Sequence, residues 1–174
     1  TGKRVVLKSP PHTCRIKLLL ELFPGAKFVH IRRHPLAVFP STKKMLATFL
    51  KSTQLQSYDP AMLDDRIVDV YREVYDAYFD ELDLIPPGDF VDIAYEDLER
   101  SPIETMAEIY QRLSLPTFGE IEPTISSYVA SLATYQKNQF KPLPEDLVSR
   151  LSREWHRSFS EWGYSPDGVL LPTS

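Results

Sequence analysis

The chain has 174 residues, of which 43% are hydrophobic and 25% are charged, and its formal net charge is -4. These values predict one globular domain over residues 1–174, and no apolar run approaches the roughly 18 residues that a membrane-spanning helix needs. A single cysteine excludes an internal disulfide framework, and the cysteine and four histidines lack the spacing of metal ligands. We therefore expect no bound metal and no membrane span.

The charge is divided unevenly along the chain. Residues 1–51 contain eleven Lys and Arg but only one acid, Glu21, so this part is net +10 and the remaining 123 residues are net -14. Such a split favours an anionic ligand for the first third, although a basic solvated face offset by acidic helices explains it equally well. Nucleic acid is not the expected anion, because the basic third lacks interleaved exposed aromatic residues and the sequence pI is about 5.6.

Short β-branched runs alternate with stretches of helical periodicity, which predicts an α/β domain. The double proline Pro10-Pro11 ends the first strand, and Pro24-Gly25 ends the first helix. Strands separated by helices favour a parallel sheet with right-handed crossovers. The predicted elements are buried strands at 4–7 and 27–31, an alternating strand at 89–94, and helices at about 12–23, 35–50, 59–84, 102–113, 120–132 and 145–162.

Two of these helices contain residues that depart from a simple amphipathic pattern. Pro40, inside the helix that begins at Pro35, should kink or delay that helix. On the long helix, Tyr71, Tyr75 and Tyr78 are expected to flank the apolar stripe, and not to stack on a ligand.

Polar or charged residues follow each predicted strand: Lys8-Ser9, Arg32-Arg33-His34 and Tyr95-Glu96-Asp97. Ligands of open α/β sheets bind beyond the carboxyl ends of the strands, so these residues are candidates for a site. Lys8 is a compact charge with three donors, which suits a phosphate or sulfate oxygen, although a lysine turning to water is the plain structural alternative. His12, four residues later, is a candidate general base. His34 precedes a proline and is expected to pack or cap.

The two consecutive arginines point to different faces, because only alternate residues of a strand share one. One of them is expected to bind an anion and the other to pair with a carboxylate. The spacing favours Arg33 together with Ser41, since a bidentate guanidinium plus a hydroxyl from the next helix can hold a phosphate. An arginine–acid pair and a capping serine would produce the same pattern, and the pattern alone does not separate the two.

Three short motifs together resemble the sulfotransferases. They are Leu7-Lys8-Ser9-Pro10-Pro11-His12, Phe28-Val29-His30-Ile31-Arg32-Arg33-His34-Pro35 with Ser41, and Tyr95-Glu96-Asp97-Leu98 with Pro102. The resemblance runs from about Val5 to Leu115 and is closer to the bacterial-type branch that uses 3′-phosphoadenosine 5′-phosphosulfate as the sulfuryl donor. It implies a fold similar to that of P-loop nucleotide kinases, with a parallel sheet flanked by helices. It also implies transfer of a sulfuryl group to an acceptor hydroxyl or amine.

The resemblance also implies roles for individual residues. The family's arginine and serine at the positions of Arg33 and Ser41 bind the 3′-phosphate of the donor. Its tyrosine at the position of Tyr95 lies by the adenine, and its lysine at the position of Lys8 meets the transferring sulfuryl group or the bridging oxygen. A base removes the acceptor proton while cations offset the charge that develops on the nucleotide.

The sequence departs from the family pattern in three places. Many members have Lys-Thr-His, with the histidine as base, where this chain has Pro10, so the base is expected to be His12, a carboxylate or a residue outside this chain. The family's loop for the 5′-phosphosulfate precedes the strand that ends at Lys8, so we expect an N-terminally truncated chain, the C-terminal portion of the full domain. The family's Arg-Lys-Gly clamp is not evident, and Lys137 is its predicted substitute.

Two other functions fit the same sequence. A P-loop phosphotransferase would need its glycine-rich Gly-Lys-Ser/Thr loop upstream of residue 1, because the chain contains none. A noncatalytic anion-binding or interaction domain is expected if the chain is naturally complete, since little would then orient the donor. The expected partners are the nucleotide donor and an unidentified hydroxyl or amine acceptor. The predicted location is cytoplasmic, or the Golgi lumen for a eukaryotic fragment.

Overall fold

The computed structural model describes residues 4–56 and 59–168, which form a two-stranded parallel sheet and the helices that pack against it. The strands are β1 (Phe28–Arg32) and β2 (Phe90–Ala94). The α-helices are α1 (Ile16–Leu22), α2 (Pro35–Thr53), α3 (Pro60–Glu81), α4 (Tyr95–Arg100), α5 (Pro102–Arg112), α6 (Phe118–Ser131), α7 (Glu145–Glu154) and α8 (His156–Trp162). Short 3-10 helices lie at Pro10–Cys14, Leu82–Leu84 and Pro166–Gly168. Within the two described ranges, no helix is long and apolar enough to cross a membrane.

Three helix ends carry a clear chemical signal in the sequence. Pro35 and Pro102 occupy the first turns of α2 and α5, where a missing N–H leaves no bond unmade. Gly163 ends α8 with a φ of 66°, in the left-handed region that glycine enters without a steric penalty. The helix α2 continues through Pro40 without a break. The short helix α4, which starts directly after β2, was not predicted.

The strand predicted at Arg4–Leu7 is absent from the structure. Residues 4–9 are neither strand nor helix, and Val5 and Val6 are 77% and 84% exposed. The prediction was wrong because β-branched residues favour an extended chain, but a strand also needs a neighbour to receive its backbone hydrogen bonds. Among the described residues, β1 and β2 pair only with each other.

The strand β1 is buried on one face only, which corrects the expectation of a fully buried strand. Val29 and Ile31 are 46% and 47% exposed, whereas Val91, the register partner of Val29, is 0% exposed. The difference arises because Val91 and Ile93 of β2 pack against α5. Helix α5 therefore covers the β2 half of this face and leaves the β1 half open.

The main core lies on the other side of the molecule, between α2, α3, α7 and α8, and its centre is Trp155. The indole of Trp155 stacks on the ring of Tyr71 at 3.9 Å between centroids, and its Nε1–H donates to the carbonyl of Val68 at 3.0 Å. Trp155 also interrupts the single helix predicted at 145–162, because the backbone leaves the helical conformation there. Tyr71 and Tyr78 are buried, so the prediction that they flank the apolar stripe was wrong.

A matched pair of substitutions tests the one-sided cover of the sheet. We expect Val91→Ala to lower the free energy of unfolding by about 2 kcal/mol, because two buried methyl groups are lost and a cavity forms against α5. Val29→Ala removes the same atoms from the exposed half of the same face and should cost about 0.5 kcal/mol or less. Urea unfolding followed by circular dichroism measures both, and equal losses would contradict the packing described here.

The buried tyrosines predict a loss of stability in alkaline solution. Burial, together with the nearby Asp92 carboxylate, raises the pKa of Tyr75 to about 12, and burial also raises the pKa of Tyr71 and Tyr78. Since the unfolded chain releases these protons near pH 10, the free energy of unfolding should fall as the pH rises from about 10 to 12, by about 1.4 kcal/mol per pH unit for each tyrosine.

Tyr75→Phe should make this decline less steep, and Tyr128→Phe, at a position that is 64% exposed, is the matched control. Urea unfolding at several alkaline pH values measures the slope. If Tyr75→Phe leaves the slope of unfolding free energy against pH unchanged, Tyr75 does not contribute to the alkaline loss of stability.

Candidate functional site

Parallel pairing of β1 with β2 brings two of the predicted strand ends together. The last register pair joins Arg32 of β1 to Ala94 of β2. Arg33 and Tyr95 are therefore the first residues after the two strands. The guanidinium carbon of Arg33 lies 4.7 Å from the centroid of the Tyr95 ring, which is a cation–π contact. The sheet edge thus presents a positive charge on an aromatic ring.

The two arginines have different partners, as the alternation of faces predicts. Arg32 donates to the Asp92 carboxylate at 2.6 Å, and the other oxygen of this carboxylate lies 2.8 Å from Nδ1 of His30. Arg33 takes part in none of the ion pairs found among the described residues. Arg32 is therefore held as a structural residue, and the charge of Arg33 is available to a ligand.

His34 packs and caps, which confirms its predicted structural role. The backbone N–H of Leu36 donates to His34 Nδ1 at 3.3 Å, and His34 Nε2 lies 3.0 Å from the carbonyl oxygen of Ser165. Glu96 accepts from the backbone N–H of His34 at 3.2 Å and from the Tyr164 hydroxyl at 3.0 Å. Burial and Glu96 raise the pKa of Tyr164, and Arg32 partly offsets this effect. These bonds fix the end of β1 to the segment after α8.

Tyr95 and Glu99 link Arg33 to Lys137, another predicted ligand for the donor. The Tyr95 hydroxyl donates to Glu99 Oε1 at 3.2 Å, and the Lys137 ammonium lies 2.5 Å from the same oxygen. Burial and Glu99 raise the pKa of Tyr95, while Arg33 and Lys137 lower it. Glu99 was not identified as a site residue from the sequence. It lies four residues after Tyr95, and in a helix this spacing places both side chains on one face, which could have indicated the contact.

Ser41 lies on α2 and is partly buried. Its hydroxyl makes no hydrogen bond with the described residues, so the capping role considered for it is not seen. Three residues further along the same helix, Lys44 donates to the Asn138 side chain at 2.5 Å and lies 6.0 Å from the centroid of the Phe140 ring. Helix α2 is thereby tied to the segment that carries Lys137.

Lys8 and His12 are not joined to this cluster in the parts of the chain that the structure describes. Lys8 is exposed in the extended residues before the first 3-10 helix. His12 lies within that 3-10 helix, which packs against α3, and its Nδ1 is buried without a hydrogen-bond partner. No hydrogen bond or ion pair connects either residue to Arg33, Tyr95 or Lys137.

The segment around Lys137 borders an open depression of about 430 Å³, lined by residues 136–139. Residues 131–139 are all exposed. In residues 4–56 and 59–168 there is no group of three or more His, Cys, Asp and Glu side chains that could hold a metal ion. The ligand best suited to the combination of Arg33, Tyr95 and Lys137 is an anion that also carries an aromatic ring.

Comparisons with known proteins agree with the resemblance seen in the motifs. The sequence pattern described as the Sulfotransferase family matches residues 1–120. Two curated relatives, from Mycobacterium bovis and Mycobacterium tuberculosis, are each named omega-hydroxy-beta-dihydromenaquinone-9 sulfotransferase Stf3. Each is 35% identical over 162 residues, which are 93% of this chain and 42% of the relative. The chain thus spans less than half the length of these curated relatives.

A solved structure supports the fold. The crystal structure of sulfotransferase STF9 from Mycobacterium avium matches with a TM-score of 0.75 at 20% identity, over 89% of this chain and 41% of that one. The predicted fold class, an α/β domain with a parallel sheet flanked by helices, is confirmed, apart from the missing strand at Arg4–Leu7.

Substitution of the two arginines should separate their structural roles. We expect Arg32→Met to lower the free energy of unfolding by about 1–2 kcal/mol, because Asp92 loses a charged hydrogen-bond donor in a partly buried place. Arg33→Met removes none of the ion pairs found among the described residues, only the cation–π contact with Tyr95, and should cost less, about 0.5 kcal/mol. Thermal and urea unfolding give both values, and a larger loss for Arg33→Met would contradict the assignment.

Proposed function

The chain belongs to the sulfotransferase family, and from this premise we propose that it takes part in sulfuryl transfer from 3′-phosphoadenosine 5′-phosphosulfate to an acceptor hydroxyl or amine. The observation that carries the proposal is Arg33, a guanidinium without a carboxylate partner among the described residues that lies on the ring of Tyr95.

The chain's own residues suit the adenosine 3′,5′-bisphosphate part of the donor. Arg33 offers a planar fork of donors for the 3′-phosphate, and Ser41 would add a hydroxyl from α2. The Tyr95 ring would lie by the adenine, with Lys137 close to the same ring. The donor supplies a sulfuryl group and a nucleotide that leaves with its negative charge. Cations near that charge stabilise the transition state.

The remaining roles concern the sulfuryl group and the acceptor. We assign Lys8 to the sulfuryl or bridging oxygen and His12 to removal of the acceptor proton. The unpartnered, buried Nδ1 of His12 supports a role in proton transfer, because such a nitrogen is costly to leave without a partner. The name of the two mycobacterial relatives, which includes an omega-hydroxylated dihydromenaquinone, favours a hydroxyl over an amine as the acceptor. A cytoplasmic location stays a prediction.

A titration with adenosine 3′,5′-bisphosphate tests the donor site. We expect saturable binding, weakened about 10- to 100-fold by Arg33→Ala and about three- to tenfold by Ser41→Ala, because charged and neutral hydrogen bonds to the 3′-phosphate are lost. Arg112→Ala is the matched control, since Arg112 is an arginine of α5 that pairs with Glu108 at 3.1 Å and takes no part in the site. Isothermal titration calorimetry measures the affinities.

Unchanged affinity in both the Arg33→Ala and the Ser41→Ala variants would refute the site. Binding that follows the prediction, in a protein that transfers no sulfuryl group to any tested acceptor, would favour the noncatalytic anion-binding alternative. The phosphotransferase alternative is disfavoured, because both the family match and the relatives are sulfotransferases.

A further inference from the structure

Glu99 connects two of the side chains assigned to the donor. Its Oε1 accepts from the Tyr95 hydroxyl at 3.2 Å and pairs with the Lys137 ammonium at 2.5 Å. Tyr95 and Glu99 are one turn apart on α4, so the helix sets their spacing. Lys137 comes from the segment between α6 and α7, far away in the sequence. We propose that Glu99 is a positioning residue, which holds Lys137 where it contacts the 3′-phosphate bound by Arg33. This inference rests on the proposed donor site.

Lys137 needs such a partner because its own segment does not hold it in place. The residues around it are exposed and belong to no helix or strand. A lysine side chain has many rotamers, and a binding site in which it is already ordered loses less entropy when the ligand arrives. The bond to Glu99 removes much of this freedom before the donor binds.

Glu99 can hold Lys137 without taking it away from a phosphate. The ammonium group has three donors and Glu99 engages it through one oxygen, so other donors remain for an anion. The negative charge of Glu99 is already offset by Lys137, and both side chains are partly exposed to water, at 37% and 44%. Its repulsion of a bound phosphate is therefore weak.

A second anchor holds the same segment over the site. Lys44 binds Asn138, the residue after Lys137, and lies three residues after Ser41 on α2. The segment is thus tied at one point to the helix of Ser41 and at another to the helix of Tyr95. These two anchors place Lys137 between the elements that carry the other proposed ligands of the donor.

The test compares adenosine 3′,5′-bisphosphate with adenosine 5′-phosphate, which lacks the 3′-phosphate. Calorimetric titrations would use the unmodified protein, Glu99→Gln, Lys137→Met and the double variant. Glu108→Gln is the matched control, since it removes an exposed ion pair from α5. The glutamine at position 99 keeps an oxygen that can accept from Tyr95, so the change acts mainly on Lys137.

We expect Glu99→Gln to weaken the bisphosphate about three- to tenfold, as for the loss of one ordered charged contact, and to change the affinity for adenosine 5′-phosphate by less than about twofold. The double variant should bind no more weakly than Lys137→Met alone. A structural defect would instead weaken both nucleotides equally, and that result would overturn the inference.

Two further outcomes keep this inference distinct from the proposed function. If the unmodified protein prefers the bisphosphate and Glu99→Gln leaves that preference intact or strengthens it, the positioning role of Glu99 fails alone. If the unmodified protein shows no preference for the bisphosphate, the proposed donor site fails and the inference fails with it.

Discussion

The parallel pairing of β1 with β2 is the constraint on which the site depends. The two strands are far apart in the sequence, and α2 and α3 form the connection that returns the chain in the same direction. Because the strands run parallel and in register, both carboxyl ends meet at one edge. An antiparallel arrangement of the same residues would place Arg33 and Tyr95 at opposite ends of the sheet, and no cation–π contact between them would exist.

One carboxylate decides which of the two arginines is held in an ion pair among the described residues. Asp92 lies opposite His30 in the register and binds both His30 and Arg32, so its two oxygens are occupied. This arrangement satisfies charges that are partly buried against α3, where an unpaired charge would be costly. Arg33, the next residue, is past the end of the strand and its guanidinium lies on Tyr95. The arginine that pairs with Asp92 and the arginine proposed to bind the donor are thus adjacent in sequence but have different partners.

The C-terminal helices support this edge from behind. Trp155 ends α7 in the core, and α8 then reaches β1, where the ring of Trp162 stacks on His30 at 5.6 Å between centroids. In the segment after α8, the carbonyl of Ser165 contacts the His34 ring and the Tyr164 hydroxyl donates to Glu96. The positions of Arg33 and Tyr95 therefore depend on packing at the far end of the chain. The exposed segment around Lys137 has no comparable support, and its side chains are held by individual ion pairs and hydrogen bonds.

The sequence by itself determined the family motifs, the approximate bounds of most helices and the two strands that pair, because prolines, glycines and hydrophobic periodicity act over a few residues. It also indicated that Arg32 and Arg33 have different partners, since alternation along a strand is local. Only the tertiary structure decided which faces are covered, why Arg4–Leu7 is not a strand, and why Trp155 interrupts a predicted helix. It also decided that Glu99 meets Lys137. Each of these depends on a partner distant in sequence, and short-range patterns carry no information about which distant groups meet.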